Sequence, residues 1–384
     1  MKLKKTGLGT SAVHAGEVRP GIGGAVSMPI FQSSTFENDG DAGYHDVRYI
    51  RLNNTPNHDV LHAKLAVLEG AEAALVAGSG MAAISTTLMT FLSSGDHVMH
   101  QHALYGGTHS FIQHDLKDFG IDHGDVDPTR QETWEAIRTD RTRVFYVETL
   151  SNPLMTVPDL QAVVDFCRQH GIVSVIDNTF ASPVNFLPIP FGFDLVLHSC
   201  TKYMNGHTDI VAGSIAGSAE KIAAIKHKLD HLGGTLDPHA CFLLHRGMKT
   251  LPLRMRHQNK SALEMARFLA EQERVIRVNH PGLPGSPDHE RAKTYLHGTG
   301  GMLSFEVEGG AAAADRMFSR LQLPIVAPSL GGVETLVTRP VTTSHAGLSA
   351  AELERANISE GLVRVSVGIE DTEDLIADFR RALS

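Results

Sequence analysis

Short apolar runs that stop abruptly in polar residues recur along the first half of the chain, and stretches of helical period separate them. Leu195, Val196 and Leu197 form one run, which ends at His198-Ser199-Cys200-Thr201-Lys202. Val173, Val175 and Ile176 form another, which ends at Asp177 and Asn178. Runs this apolar predict strands buried on both faces, as a parallel sheet requires. AALVAGSGMAAISTTLMTFL reads as strand, glycine turn and helix. VFYVETLSNPL reads as a strand ending in Glu148 and Asn152. The helix from Asp159 to Gln169 carries Leu160, Val163, Val164 and Cys167. Strand and helix alternate in this way from residue 70 to 215, which predicts a mostly parallel central sheet covered on both faces.

Elsewhere the pattern differs. Pro20, Gly21, Gly23, Gly24, Pro29 and Pro56 punctuate residues 1–58, where no helical period is sustained, so this stretch predicts a long ordered arm. Leu61, Leu65 and Leu68 predict a helix over 59–69, closed by Gly70. Beyond Gly213, helices are predicted from Ala219 to His231 and from Arg254 to Gln272, with a loop-rich joint around Pro281–Pro287. A smaller α+β unit follows: strand GMLSFEVEG, a helix from Ala311 to Leu323, strands ETLVT and LVRVSVG, and a closing helix from Thr372 to Leu383. In LVRVSVG, alternation puts Val363, Val365 and Val367 on one face and Arg364 and Ser366 on the other. The predicted organisation is an arm over 1–58, a large domain over 59–252 and a small domain over 253–384.

Composition narrows the function. A formal net charge of −9 over 384 residues gives no footing for nucleic acid, and the only basic cluster is Lys2, Lys4 and Lys5 at the start. No apolar segment follows that start, and no window approaches the ~18 apolar residues of a membrane span, so a cytoplasmic protein is expected. Cys167, Cys200 and Cys241 are unpatterned, which argues against a disulfide framework and a CxxC metal site. His227 and His231 lie four apart without the glutamate of a zincin between them. His100 and His102 share a strand face with nothing nearby to complete a ligand set, so no metal is expected.

In open α/β sheets, function collects at the carboxyl ends of strands. One such end carries Asp177 and another delivers Lys202. If the two strands are neighbours, an amine and a carboxylate face one cleft, the pairing that pyridoxal phosphate requires. The lysine bonds the cofactor's aldehyde, and the carboxylate keeps the pyridine nitrogen protonated. Gly78-Ser79-Gly80-Met81 falls at a helix N-terminus, where free N–H groups and the helix dipole suit a phosphate. No GxxxxGK[ST] occurs, which removes the nucleotide P-loop. Tyr105, just after a strand and before Gly106-Gly107, either stacks on a planar ring or packs in the core.

SCTKYMNGH resembles the Ser-x-Thr-Lys-Tyr-x-x-Gly-His block of the Cys/Met-metabolism family of pyridoxal phosphate enzymes, which includes cystathionine synthases and lyases. Other blocks agree from Tyr49 to Glu370. The resemblance implies a fold-type I, aspartate aminotransferase-like enzyme, a homo-oligomer built as a dimer of dimers, and sites shared between subunits. Tyr49 and Arg51 match a Tyr-x-Arg pair expected to reach the partner's cofactor phosphate. Ser79, Gly80 and Met81 match the phosphate cradle, completed by Ser199 and Thr201. LYGGT implies that Tyr105 stacks on the ring and assists proton transfer, and Asn152 would bond the ring hydroxyl. Lys202 is the implied catalytic base, and Arg364, in an Arg-x-Ser-x-Gly block, would grip the substrate carboxylate. Residues 329–345 resemble the substrate loop and contribute Glu334 and Thr335.

Departures are instructive. Asn54-Thr55-Pro56 replaces an Asn-Pro-Thr with one extra residue, Leu150 replaces a proline, and Thr335 a serine. Gly107 stands where many methionine-degrading members are expected to carry cysteine. Arg48 stands where an acidic residue often holds the distal amino group of cystathionine. The expected reaction is γ-elimination from a γ-substituted L-amino acid, of the cystathionine γ-lyase type. Cystathionine γ-synthase, O-acylhomoserine sulfhydrylase, cystathionine β-lyase and a γ-lyase for another substrate such as canavanine are the alternatives. A protein that binds the cofactor without turnover is opposed by the intact Lys202, Asp177 and Arg364.

Overall fold

The apolar runs become the strands of a seven-stranded sheet. They are β1 (Ala73–Ala77), β2 (His97–Gln101), β3 (Asp122–Val126), β4 (Thr142–Glu148), β5 (Val173–Asp177), β6 (Leu195–Ser199) and β7 (Gly213–Gly217), in the order β1-β7-β6-β5-β4-β2-β3. Parallel pairing joins β6, β5, β4, β2 and β3, while β7 runs antiparallel to both β1 and β6. The computed structural model describes residues 6–38, 40, 43, 47–347 and 349–384. The basic cluster of Lys2, Lys4 and Lys5 lies outside the described residues.

Apolar cores cover both faces of this sheet. One gathers Val76, Phe145, Val147, Ile176 and Val196; the other gathers Leu75, Val98, Tyr146, Val175 and Leu197. Neighbouring residues on one strand go to opposite cores, which is why the runs are continuous and not alternating.

The arm is less irregular than its punctuation suggests, because it holds α1 (Leu8–His14), capped at its C-terminus by the buried Lys64 ammonium on Ala12 O at 2.8 Å. Helix α2 (Pro56–Glu69) begins three residues earlier than expected. Thr55 and His58 form a capping box, and Pro56 takes the first helical position, where its missing N–H costs nothing. The unusual Asn54-Thr55-Pro56 is thus a helix start. Helix α3 (Gly80–Phe91) follows β1 as expected.

A 20-residue helix over Leu251–Ala270 leads to a second sheet of β8 (Val275–Asn279), β9 (Met302–Val307), β10 (Ile325–Val326), β11 (Leu336–Thr338) and β12 (Leu362–Ser366), ordered β10-β11-β12-β9-β8. Val363, Val365 and Val367 enter its core with Phe305 and Phe379. No described helix is long and apolar enough to cross a membrane.

Candidate active site

Strands β5 and β6 are neighbours, with Asp177 opposite Leu197, so the acid and the lysine loop emerge side by side. Lys202 lies three residues beyond Ser199, in a turn closed by its own N–H on Ser199 O at 3.1 Å. Above these strand ends is a cavity of about 730 Å³. Lys202, Asp177, Tyr105, Asn152 and Arg364 line it, and so do Ser79, Gly80, Met81, Ser199 and Thr201.

Lys202 Nζ donates to Ser329 Oγ at 2.7 Å, and burial, with the Arg364 charge adding to it, pulls its pKa down to about 8. An amine so tuned is neutral often enough to act as nucleophile and base. Asp177 accepts from Thr179 N–H at 2.9 Å and from the Tyr146 hydroxyl at 3.4 Å. Burial nonetheless raises its pKa, outweighing these hydrogen bonds and the influence of His198. Glu148, across the ladder from Asp177, accepts the Tyr105 N–H at 2.6 Å, and burial together with the Asp177 charge holds its carboxyl well above the usual range. Its contact fixes the backbone of Tyr105, whose ring is 45% exposed.

Arg364 arrives from the second sheet. Only 4% of it is exposed, and it donates to Asn152 Oδ1 at 3.2 Å and to Ser329 O at 2.9 Å. The polar face of β12 therefore meets the cavity and not solvent. Charge in the cavity wall suits an anionic group such as a carboxylate.

The third corner is the start of α3. Ser79 caps it, its Oγ accepting from Ala82 N–H at 2.9 Å and its carbonyl from Ala83 N–H at 3.1 Å. The Gly80 and Met81 N–H groups precede the first intrahelical donors, and both residues line the cavity. A Cβ on Gly80 would sit 2.8 Å from Ser199 Cβ, so only glycine lets β6 approach this helix end. Thr201 Oγ exchanges hydrogen bonds with Ala212 N and O at 3.0 and 3.2 Å. An amine, a buried carboxyl and an anion-binding helix end in one cavity fit the aldehyde, ring nitrogen and phosphate of pyridoxal phosphate.

Other expected residues lie outside the lining. Arg51 donates to Asp230 O at 2.7 Å and stacks over the Tyr49 ring at 5.6 Å, and Arg48 pairs with Asp59 at 3.0 Å. Glu334 accepts from Thr208 Oγ at 3.2 Å, in the loop after Lys202. Thr335 is buried, and both its N–H and its Oγ bond the Glu370 carboxylate at 2.7 Å.

Sequence reasoning passed over Ser329, which holds the lysine from a left-handed backbone (φ 85°), and Arg254, whose signal was only an arginine among helical positions. Arg254 donates to Tyr203 O at 2.8 Å and Gly247 O at 2.9 Å and so clamps the loop that carries Lys202. Gly206, at φ 75°, leaves the room its guanidinium fills. The expectation that nothing completes a ligand set around His100 is also corrected, since His123 and Asp125 of β3 converge on it.

Comparison with known proteins finds relatives aligned over nearly the whole chain. L-methionine gamma-lyase of Fusobacterium nucleatum subsp. polymorphum is 40% identical over 398 residues, covering 100% of this chain and 99% of that protein. Cystathionine beta-lyase MetC of Bacillus subtilis (strain 168) is 39% identical over 378 residues, 98% of this chain and 96% of the relative. The structure of cystathionine gamma synthase from Xanthomonas oryzae pv. oryzae, in complex with aminoacrylate and cysteine, superposes with a TM-score of 0.95 at 37% identity, over 99% of this chain and 98% of that one. The profile of the Cys/Met metabolism PLP-dependent enzymes matches residues 9–384, and with relatives aligned end to end the chain belongs to that family, a pyridoxal phosphate-dependent lyase or synthase of trans-sulfuration type.

Proposed function

We propose that this enzyme eliminates the γ-substituent of an L-amino acid, with cystathionine as the reference substrate. The observation that carries the proposal is the meeting of Lys202, Asp177 and Arg364 in one cavity at the sheet's carboxyl edge. Bound pyridoxal phosphate supplies an aldehyde for the substrate amino group and a ring that takes up the electrons of the broken Cα–H bond.

The protein's own residues do the rest. Lys202 would hold the cofactor, and its free amine would accept the α proton. Its pKa near 8 suits a base working around neutrality. Asp177 would face the ring nitrogen, and a protonated nitrogen there would offset the burial that raises its carboxyl. Arg364 binds the substrate carboxylate and thereby aims the α carbon at Lys202. Tyr105 would stack against the ring and hand a proton to the leaving group. Ser79, Gly80, Met81, Ser199 and Thr201 would cradle the phosphate, and Asn152 would bond the ring hydroxyl.

Elimination at Cγ requires a second proton to leave Cβ, whereas elimination at Cβ requires only loss of the substituent. Glu334 favours the γ-acting branch by resemblance, and Gly107 speaks against a specialised methionine γ-lyase. A Cβ at Gly107 would fall 2.6 Å from the Tyr105 ring, so a larger residue there moves the stacking group. Cystathionine should yield cysteine, 2-oxobutyrate and ammonia; homocysteine and pyruvate as the main products would overturn the γ assignment. Net formation of cystathionine from an acylhomoserine and cysteine, faster than any elimination, would make the enzyme a γ-synthase. Relatives named cystathionine gamma-lyase and cystathionine gamma synthase lend support to both readings.

The arm is assigned to the partner's site. Tyr49 and Arg51 lie outside their own cavity and can each donate to a phosphate, in a cytoplasmic homo-oligomer whose large and small domains meet near residue 252. Mixing a Tyr49→Ala/Arg51→Ala protein with a Lys202→Ala protein should restore part of the activity once subunits exchange, since some hybrid sites are then intact. No recovery despite demonstrated exchange would mean that each site is built from one chain.

A further inference from the structure

We infer that His100, His123 and Asp125 form a binding site for a divalent transition-metal cation, zinc in class, on the edge of the large sheet away from the cofactor cavity. Strand geometry alone assembles it. His123 and Asp125 are two apart on β3 and share a face, and His100 lies opposite Asp125 in the parallel β2–β3 ladder. The three ligand atoms stand 2.9 Å (His100 Nε2 to Asp125 Oδ1), 3.4 Å (His100 Nε2 to His123 Nδ1) and 3.6 Å (His123 Nδ1 to Asp125 Oδ1) apart. These edges bracket the roughly 3.3 Å expected between ligands of a tetrahedral ion bonded at about 2.0–2.1 Å.

Orientation points the same way. His100 is fully buried, and its Nδ1 lies 2.9 Å from Gln101 O, to which it donates. A hydrogen is therefore on Nδ1, so that Nε2 is the nitrogen turned to the other two ligand atoms, the arrangement by which a backbone carbonyl orients a ligating imidazole. A cation between them would take the Nε2 lone pair and the Asp125 carboxylate together. His123 and Asp125 are 29% and 46% exposed, which leaves an entry path and a coordination position for water. Two nitrogens and one oxygen suit zinc, cobalt or nickel and not magnesium or calcium, which take oxygen ligands. Strand β3 is at the sheet's edge and pairs only with β2, so an ion bridging the two would fasten it.

The test uses the holoenzyme and Co²⁺ as the probe. Wild-type protein should take up one equivalent per chain and develop a visible ligand-field band of tetrahedral intensity at wavelengths beyond the cofactor's absorption. Zn²⁺ should displace the band and raise the melting temperature. His123→Ala and Asp125→Asn, both at half-exposed positions, should each weaken binding at least tenfold with bound cofactor unchanged. The same comparison separates this site from chelation by the cofactor, which both variants retain. A wild-type protein without the band, or variants that bind Co²⁺ as tightly as wild type, would overturn the site in favour of a protonated His100 hydrogen-bonded to Asp125.

Discussion

Lys202→Ala protein is expected to lose the visible absorbance of attached cofactor and at least about 10⁴-fold in turnover, since proton transfer by a positioned base alone contributes ~10²–10⁴ and the attachment point is lost with it. Lys202 is the one lysine in the cavity lining, and its position depends on β6, on Ser329 at 2.7 Å and on the Arg254 clamp over the following loop. The variant loses the Ser329 bond but leaves β6 and the Arg254 clamp in place, so folding should be preserved. Cofactor can still enter the phosphate cradle, held without a covalent bond. Persistence of both the band and the turnover would place the chemistry on another residue.

Arg364→Ala should raise KM roughly 10- to 150-fold, the equivalent of the ~1.5–3 kcal/mol carried by a charge-assisted hydrogen bond to a carboxylate. Bound cofactor should stay at wild-type levels, because Arg364 meets the cavity from the second sheet while the cradle and Asp177 belong to the first. Truncation also leaves Asn152 Oδ1 and Ser329 O without their donor, so some loss of stability accompanies it. Arg364→Lys keeps the charge without the planar fork and should recover only part of the affinity. An unchanged KM with cystathionine in either variant would remove the carboxylate role.

The parts of the site that were legible in the sequence are those written in strand periodicity. Runs of apolar residues on consecutive positions mark where Asp177 and Lys202 leave the sheet, and alternation around Arg364 separates its face from the valines. The resemblance supplied roles for these positions, and the sheet order supplied their adjacency. What stayed hidden depends on contacts distant in sequence. His123 and Asp125 join His100 only because β3 pairs with β2, and nothing local to DHGDV announces that pairing. Arg254 reads as one more polar position of a helix until its guanidinium is seen on the carbonyls of the lysine loop. Capping chemistry was a different kind of miss. The helix over Pro238–Met248 is announced by Asp237, whose side chain accepts the His239 N–H at 2.8 Å, followed by proline at the first position. That Asp-Pro signal, like Thr55-Pro56, stands in the sequence, where a proline at the first helical position also reads as a loop breaker.

The central claim is that Lys202 carries the cofactor. Borohydride reduction of the wild-type holoenzyme, followed by proteolysis and mass spectrometry, tests it without any mutation. A pyridoxyl phosphate group fixed on the peptide containing Lys202, and on no other lysine peptide, is the predicted result; a label on a different lysine, or no fixed label on a protein that still turns over substrate, would contradict it.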